Sequence, residues 1–368
     1  MKKIIFYVFS IIFIVCFLSF SASATEIDEE YYSDMLSSII DNDTYEKLEE
    51  VGLQDFSPDE IFSVSFNKIG EYFSASLKNK TVDIISDFFR ILSILIVFIT
   101  IKNFFCADKG TSLKIMGVIS VSLLSVDVSV EIIEVLISTM KTSGNFMLSF
   151  IPIYTVLLSI GGNVSSAVSY NTITFSFAQI ISMLINSYAA DFTGIFISLS
   201  LAFSLNSTLN INRFISSVNK LVSTVIGFLS SGFAAMLTVR GVLSATIDSA
   251  ASKSIKYLIG SLIPIVGSSI SDAYSTVLGS INVIKSSIAV AGIIIMLVIC
   301  VPPVLEGVTY CITFSLLSWI SEMAELDEIT SVLKAIQSVV RTLILLNIFQ
   351  MFILLVSTGI LIVVKGGA

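Results

Sequence analysis

From Ile84 onward the chain is a succession of long apolar runs interrupted by single charges or short polar clusters. Crossing a bilayer as a helix takes about 20 apolar residues, and several runs reach that length. Residues 142–190 contain no Asp, Glu, Lys or Arg, enough for two helices meeting near Gly161-Gly162-Asn163. Phe192 to Asn212, Leu221 to Val239, Ser286 to Leu305 and Thr342 to Val364 are likewise uncharged. Ile91 to Phe105, Ile115 to Ser129 and Gly307 to Ile320 are shorter and need tilt or polar flanks to span. The pattern predicts an all-α, polytopic helical membrane domain over residues 84–368 with seven to nine helices.

The first 83 residues read differently. Lys2 and Lys3, the apolar run Ile4 to Phe20 and the small residues Ala22-Ser23-Ala24 predict a signal peptide over 1–24, with an uncleaved anchor helix as the alternative. Between Thr25 and Asp83 fifteen Asp/Glu stand against four Lys, so the acidity of the chain is concentrated there. Phe62, Phe66, Ile69, Phe73 and Leu77 recur at helical spacing, and Pro58 with Asp59 and Glu60 suits a helix start. These features predict a small helical extracytoplasmic domain over 25–83. Phe66 and Phe73 are candidate partner-docking residues, and the acidic run reads as a solvated surface, with a docking face or cation site as the alternative.

Composition narrows the function. Hydrophobic residues make up 55% of the 368 and charged residues 13%, at a mean hydropathy of +0.95, far from the roughly 25% charged content of soluble domains. The absence of histidine excludes His-based acid/base, nucleophile and metal chemistry. A net charge of −8 argues against nucleic acid as a partner. Neither a cofactor nor an enzymatic activity is expected. Cys106, Cys300 and Cys311 lack metal-ligand spacing and read as free thiols.

The stretch 254–286 is an amphipathic or re-entrant segment. Ile270, Ala273, Tyr274, Val277, Leu278, Ile281 and Ile284 form one apolar face, opposite Asp272, Ser275, Thr276, Asn282 and Lys285. Those five are candidate polar or pore-facing residues, lying at an interface or turned to water or a polar helix within the membrane. Pro264 and Gly267 mark a candidate helix break before them. Asp272 and Lys285 are thirteen residues apart, roughly 20 Å along a helix, so each needs its own partner.

Gly241-Val242-Leu243-Ser244, Thr246-Ile247-Asp248, Ile263-Pro264-Ile265-Val266-Gly267, Ser271-Asp272-Ala273 and Gly279-Ser280, followed by Lys285, Gly292 and Cys300 with Pro302, resemble the stage III sporulation protein AE family of endospore-forming bacteria. The resemblance runs best from about Ser165 to Ile320. It implies a multi-pass protein in the mother-cell membrane around the forespore, one of eight products of one operon that build a transenvelope, secretion-like complex. Its implied partners are the other stage III proteins of that operon, including an ATPase subunit, and membrane lipid. The family provides no catalytic residue to carry over.

Three further readings follow from spacing. Asp127, Glu131 and Glu134 share one helix face, as a cation or partner site or as a solvated helix end. Arg240 and Asp248 form a charge pair or snorkel separately. Ile151-Pro152-Ile153 and Ile263-Pro264-Ile265 hint at an internal repeat. The positive-inside bias places Lys102, Lys109 and Lys114 in the cytoplasm once the amino terminus is exported. A non-enzymatic subunit of a sporulation channel complex is the function favoured. A self-sufficient secondary transporter or permease is the alternative, disfavoured by sparse charge and the lack of a clear half-to-half repeat. No G-x-x-x-x-G-K-[ST] motif occurs, so ATP hydrolysis falls to a partner.

Overall fold

The computed structural model describes residues 34–54, 56–104, 110–184, 211–262 and 267–363, with isolated positions 191, 194 and 198. Every regular element among them is helical. The amino-terminal helices are short and capped. In α1 (Asn42–Val51) the Asp41 carboxylate accepts from the Thr44 N–H at 3.0 Å. The helix stops at Gly52, whose φ of +92° lets Gly52 N and Leu53 N reach back to the carbonyls of Glu49 and Leu48. Ser57 caps α2 (Pro58–Ser63), which starts at the expected proline with Asp59 and Glu60 in its first turn. Leu48, Val51, Leu53, Phe56 and Ile61 close a small core beneath these two helices.

Five further helices are long. They are α3 (Phe66–Phe104), α4 (Gly110–Ile160), α7 (Ile211–Leu262), α8 (Gly267–Met323) and α9 (Asp327–Val363). Each contains a stretch long and apolar enough to cross a membrane, so the described residues hold five such helices. The predicted Ile115–Ser129 and 142–160 runs are one helix, as are Ser286–Leu305 and Gly307–Ile320. The expected boundary at residue 83 falls inside α3. Phe192–Asn212 lies almost wholly outside the described residues. Pro152, Pro302 and Pro303 sit within continuous helices. Neighbouring helices in a membrane protein can satisfy the carbonyls that such prolines release.

Two turns set the topology. At the predicted Gly161-Gly162-Asn163 junction, Gly162 adopts φ +73° and the amides of Gly162 and Asn163 bond back to Ser159 and Leu158. The chain then folds along α4 as α5 (Val164–Tyr170), a π turn (Asn171–Phe175) and α6 (Ser176–Leu184). The second turn joins α8 to α9. Glu325 takes the left-handed position at φ +53°, with Glu325 N and Leu326 N bonded to the carbonyls of Glu322 and Ser321. Asp327 and Glu328 then open α9, where acidic side chains favour a helix start.

α9 runs through the centre of the bundle, against α4, α7 and α8. Close approach depends on missing side chains. A Cβ on Gly292 of α8 would stand 2.2 Å from Phe150 of α4, and one on Gly117 of α4 only 1.8 Å from Phe98 of α3. One on Gly144 would stand 2.7 Å from Ser182 Oγ and 2.9 Å from Gln350 Nε2. Polar side chains bond across the same seams: Asn347 Nδ2 donates to the Leu136 carbonyl and Gln350 Nε2 to that of Met140, each at 3.1 Å. Small residues and interhelical hydrogen bonds hold helices together in lipid, where apolar burial alone does not.

Gly292→Val should therefore force α8 away from α4. In detergent, the thermal midpoint is expected to fall by many degrees or the protein to be lost to proteolysis, whereas Gly232→Val, at an open site on α7, should accumulate and melt normally. Equal behaviour of the two variants would show that the α4–α8 seam does not depend on Gly292.

Candidate functional site: a charged belt and a carboxylate cap

The helices exceed a bilayer several-fold in some cases. α4 has 51 residues, roughly 76 Å at 1.5 Å per residue against a hydrocarbon core of about 30 Å. Interhelical contacts divide the bundle into two apolar layers. The upper layer holds 142–160 of α4, 286–305 of α8 and 342–363 of α9, with α5 and α6 alongside, as the Gly292–Phe150 and Gly144–Ser182 approaches place them. The lower layer holds 91–104 of α3, 115–126 of α4, 307–323 of α8 and 327–340 of α9. There Phe98 meets Gly117, and Gln337 Nε2 donates to the Cys311 carbonyl.

Between the layers lies a belt of charge. Lys80 Nζ stands 3.6 Å from Glu131 Oε1 and 3.8 Å from Glu306 Oε1, and Arg90 is 3.9 Å from Asp127. Tyr310 donates its hydroxyl proton to Asp87 at 3.0 Å. Thus α3 supplies both cations, and α4 and α8 the carboxylates facing them. Glu306 is buried, with a side chain only 10% exposed, while Lys80 keeps 42%. The Asp127, Glu131 and Glu134 triad therefore lies mid-helix rather than at a helix end, and its first two members serve as ion-pair partners. Sequence spacing grouped the three but gave no sign of Lys80, Arg90 or Glu306 facing them. A lone glutamate between two uncharged runs was the available signal.

A second polar device lies at the top of the upper layer. Asp248, in the carboxyl-terminal half of α7 and 6% exposed, accepts the backbone N–H groups of Ser165 (2.9 Å) and Ser166 (2.8 Å). These are the second and third residues of α5, whose own cap residue Asn163 makes no side-chain cap bond. A carboxylate from another helix thus takes the two donors that a helix start leaves free, where negative charge is favourable. Ser169 and Ser244 bond one turn further along, at 2.6 Å. Arg240 is exposed. The Asp248 carboxylate goes to α5 backbone rather than to Arg240, a partner over 80 residues away that local spacing does not reveal.

The five candidate polar residues share helix α8. Lys285 is 4% exposed and its ammonium donates to Asn282 Oδ1 at 2.7 Å. Asn282 is exposed and Ile284 buried beside Lys285. Gly267 is the first residue of α8. The side chains of Asp272, Ser275, Thr276 and Phe66, and the whole of Pro264, lie outside the described residues. Phe73 is half-buried and packs on the core with Tyr72. Cys300 and Cys311 are free thiols.

Removing the cap tests its structural weight. Asp248→Ala should destabilise the protein by about 1–2 kcal/mol, as lost helix caps do, and Asp248→Asn by less, since one oxygen still accepts. Thermal melts in detergent read this order. An unchanged melt for Asp248→Ala would show that α5 does not rely on the carboxylate.

Residues 52–366, which include the belt, the Asp248 cap and the first half of α8, match the family model described as stage III sporulation protein AE. The chain is also similar to the stage III sporulation protein AE of Bacillus subtilis (strain 168), 20% identical over 205 residues, covering 56% of this chain and 51% of the relative. The chain thus spans about half the length of the curated relative it matches. No solved structure matches. With a match reaching from the amino-terminal helices to the end of α9, the chain belongs to the stage III sporulation protein AE family.

Proposed function

We propose that this chain is a non-enzymatic, multi-pass membrane subunit of a sporulation complex that links mother cell and forespore, acting in secretion or as part of a channel. The observation that carries the reading is the family match over residues 52–366, joined to five helices long and apolar enough to cross a membrane. In this reading the protein sits in the mother-cell membrane around the forespore, with its acidic domain outside the cytoplasm. Its partners are other stage III sporulation proteins, an ATPase subunit among them, and lipid.

Two surfaces are assigned roles. The acidic domain exposes Glu46, Glu49 and Glu50 on α1 and docks extracytoplasmic partners, with Phe66 and Phe73 orienting it from α3. The polar residues Asp272, Ser275, Thr276, Asn282 and Lys285 meet water or a partner helix at the start of α8, after the Pro264–Gly267 break.

Affinity recovery of the tagged protein from sporulating cells, with the co-purifying chains identified, tests this function. Stage III partners should co-purify. Reversing Glu46, Glu49 and Glu50 to Lys should cut their recovery several-fold at unchanged abundance. Recovery without any sporulation protein would refute the assignment, and full recovery by the reversed variant would remove the docking role. Ser275→Leu with Asn282→Leu should abolish spore formation at normal protein level; normal spore counts would leave the start of α8 as a plain interfacial helix.

A further inference from the structure

The helix α4 carries its exposed polar residues on one face. Asp127, Glu131 and Glu134 are followed at three- and four-residue steps by Ser138, Lys141, Asn145 and Ser149, all of them exposed. Between positions 127 and 149 Val130 is the one exposed apolar side chain of this helix. The stretch is roughly 33 Å long at 1.5 Å per residue, close to the depth of a bilayer's hydrocarbon core. Exposed apolar residues frame it, Leu123 at one end and Val156 at the other. α3 forms one flank. Its Lys80, Asp83, Asp87 and Arg90 share the side that pairs with α4, while exposed Val82, Ile85 and Phe89 fall on the opposite side. Together the two helices make a polar furrow on the surface of the bundle.

At the same depth α6 and α7 present a different surface. The Gly144–Ser182 approach sets α6 level with the furrow, and Ile180 and Met183 on either side of Ser182 are 55% and 66% exposed. Phe177 and Phe233, with ring centroids 4.9 Å apart, bring α7 to that level, where Phe228 is 76% and Val225 47% exposed. The exposed hydroxyls of Thr224 and Ser231 bond back to the Lys220 and Phe228 carbonyls of their own helix. Such a surface suits lipid. The furrow side has a second wet feature. A cavity of about 100 Å³ marks where Asp41 and Thr44 face Thr142 and Asn145 of α4, and the exposed carboxylates Asp43, Glu46, Glu49 and Glu50 belong to the adjoining helix α1. Ionised side chains at that density do not sit in hydrocarbon.

We infer that the α4 furrow from Asp127 to Ser149 lines an aqueous space inside the assembled complex, while α6 and α7 at the same depth face lipid. The inference deepens the channel reading and rests on it, because a lone copy in a bilayer would turn Glu131, Glu134 and Lys141 into hydrocarbon. Water enclosed by neighbouring subunits removes that conflict. The wall of the passage is then α4 flanked by α3, with Asn145 and the acidic domain towards one end and the Arg90–Asp127 pair at the other. The polar positions at the start of α8 are a separate feature, since Lys285 there is buried and donates to Asn282.

Thiol labelling tests the sidedness, because a cysteine ionises and reacts with a charged methanethiosulfonate only where water reaches it. Four full-length variants are compared in membranes from sporulating cells: Ser138→Cys and Asn145→Cys in the furrow, Met183→Cys on α6 and Phe228→Cys on α7. All four positions are exposed in the bundle, so the substitutions leave its packing alone, and mass spectrometry of the labelled peptides reads each site with the native thiols in place. The furrow positions should react about tenfold faster, or more, than positions 183 and 228. Fast labelling at all four would overturn the inference by placing this whole depth outside the bilayer. Slow labelling at all four would overturn it as well, by showing the furrow to be sealed in a dry contact with another protein. Stage III partners are recovered from the same membranes, so a failed contrast at full recovery refutes the wet face and leaves the complex standing.

Discussion

The architecture turns on the Lys80–Glu306 contact with Glu131 beside it. Helices of 39 to 57 residues cannot remain apolar throughout and still stay soluble at their ends, so charge must appear part-way along them. Taken singly, a glutamate such as Glu306, buried between two apolar runs, would be costly. Lys80 offsets that cost from α3, while Arg90 on the same helix faces an Asp127 that stays exposed. Because the cations come from one helix and the carboxylates from two others, the belt fixes the register of α3, α4 and α8 at one level. The seams above and below it, set by Gly292 and Gly117, follow from that register.

Polar groups elsewhere play the same role of register pins. Asp248 holds α5 against α7, Asn347 and Gln350 tie α9 to α4, and Gln337 ties α9 to α8. Each satisfies a backbone group on a neighbouring helix, and each lies in a seam otherwise made of apolar or small side chains. Lys285 follows the pattern on a smaller scale, donating to Asn282 one turn earlier.

Much of this was legible from the residues. The membrane class, the all-helical fold, the start of α2 at Pro58 and the reversal at Gly161-Gly162-Asn163 follow from composition, capping chemistry and the need for a positive φ at Gly162. Helix lengths were harder to read. Lys141 and Glu306 look like ends of spans when each run is measured against one bilayer, yet helices continue through both, with Glu306 met by Lys80 from α3 and Lys141 exposed. Pro152 and Pro302-Pro303 are carried within helices. The partners of Asp248, Glu131 and Glu306 come from distant segments, and in Asp248's case from backbone amides, which leave no mark in side-chain spacing.

The Lys80–Glu306 pair is the point at which this picture is most exposed to experiment. Lys80→Glu and Glu306→Lys, measured singly and together by thermal denaturation in detergent, isolate the coupling between them. Each single reversal places like charges within about 4 Å and should lower the midpoint by several degrees, while the double exchange should recover most of the loss. A double variant as unstable as the sum of the two single losses would contradict a bundle held in register by its charged belt.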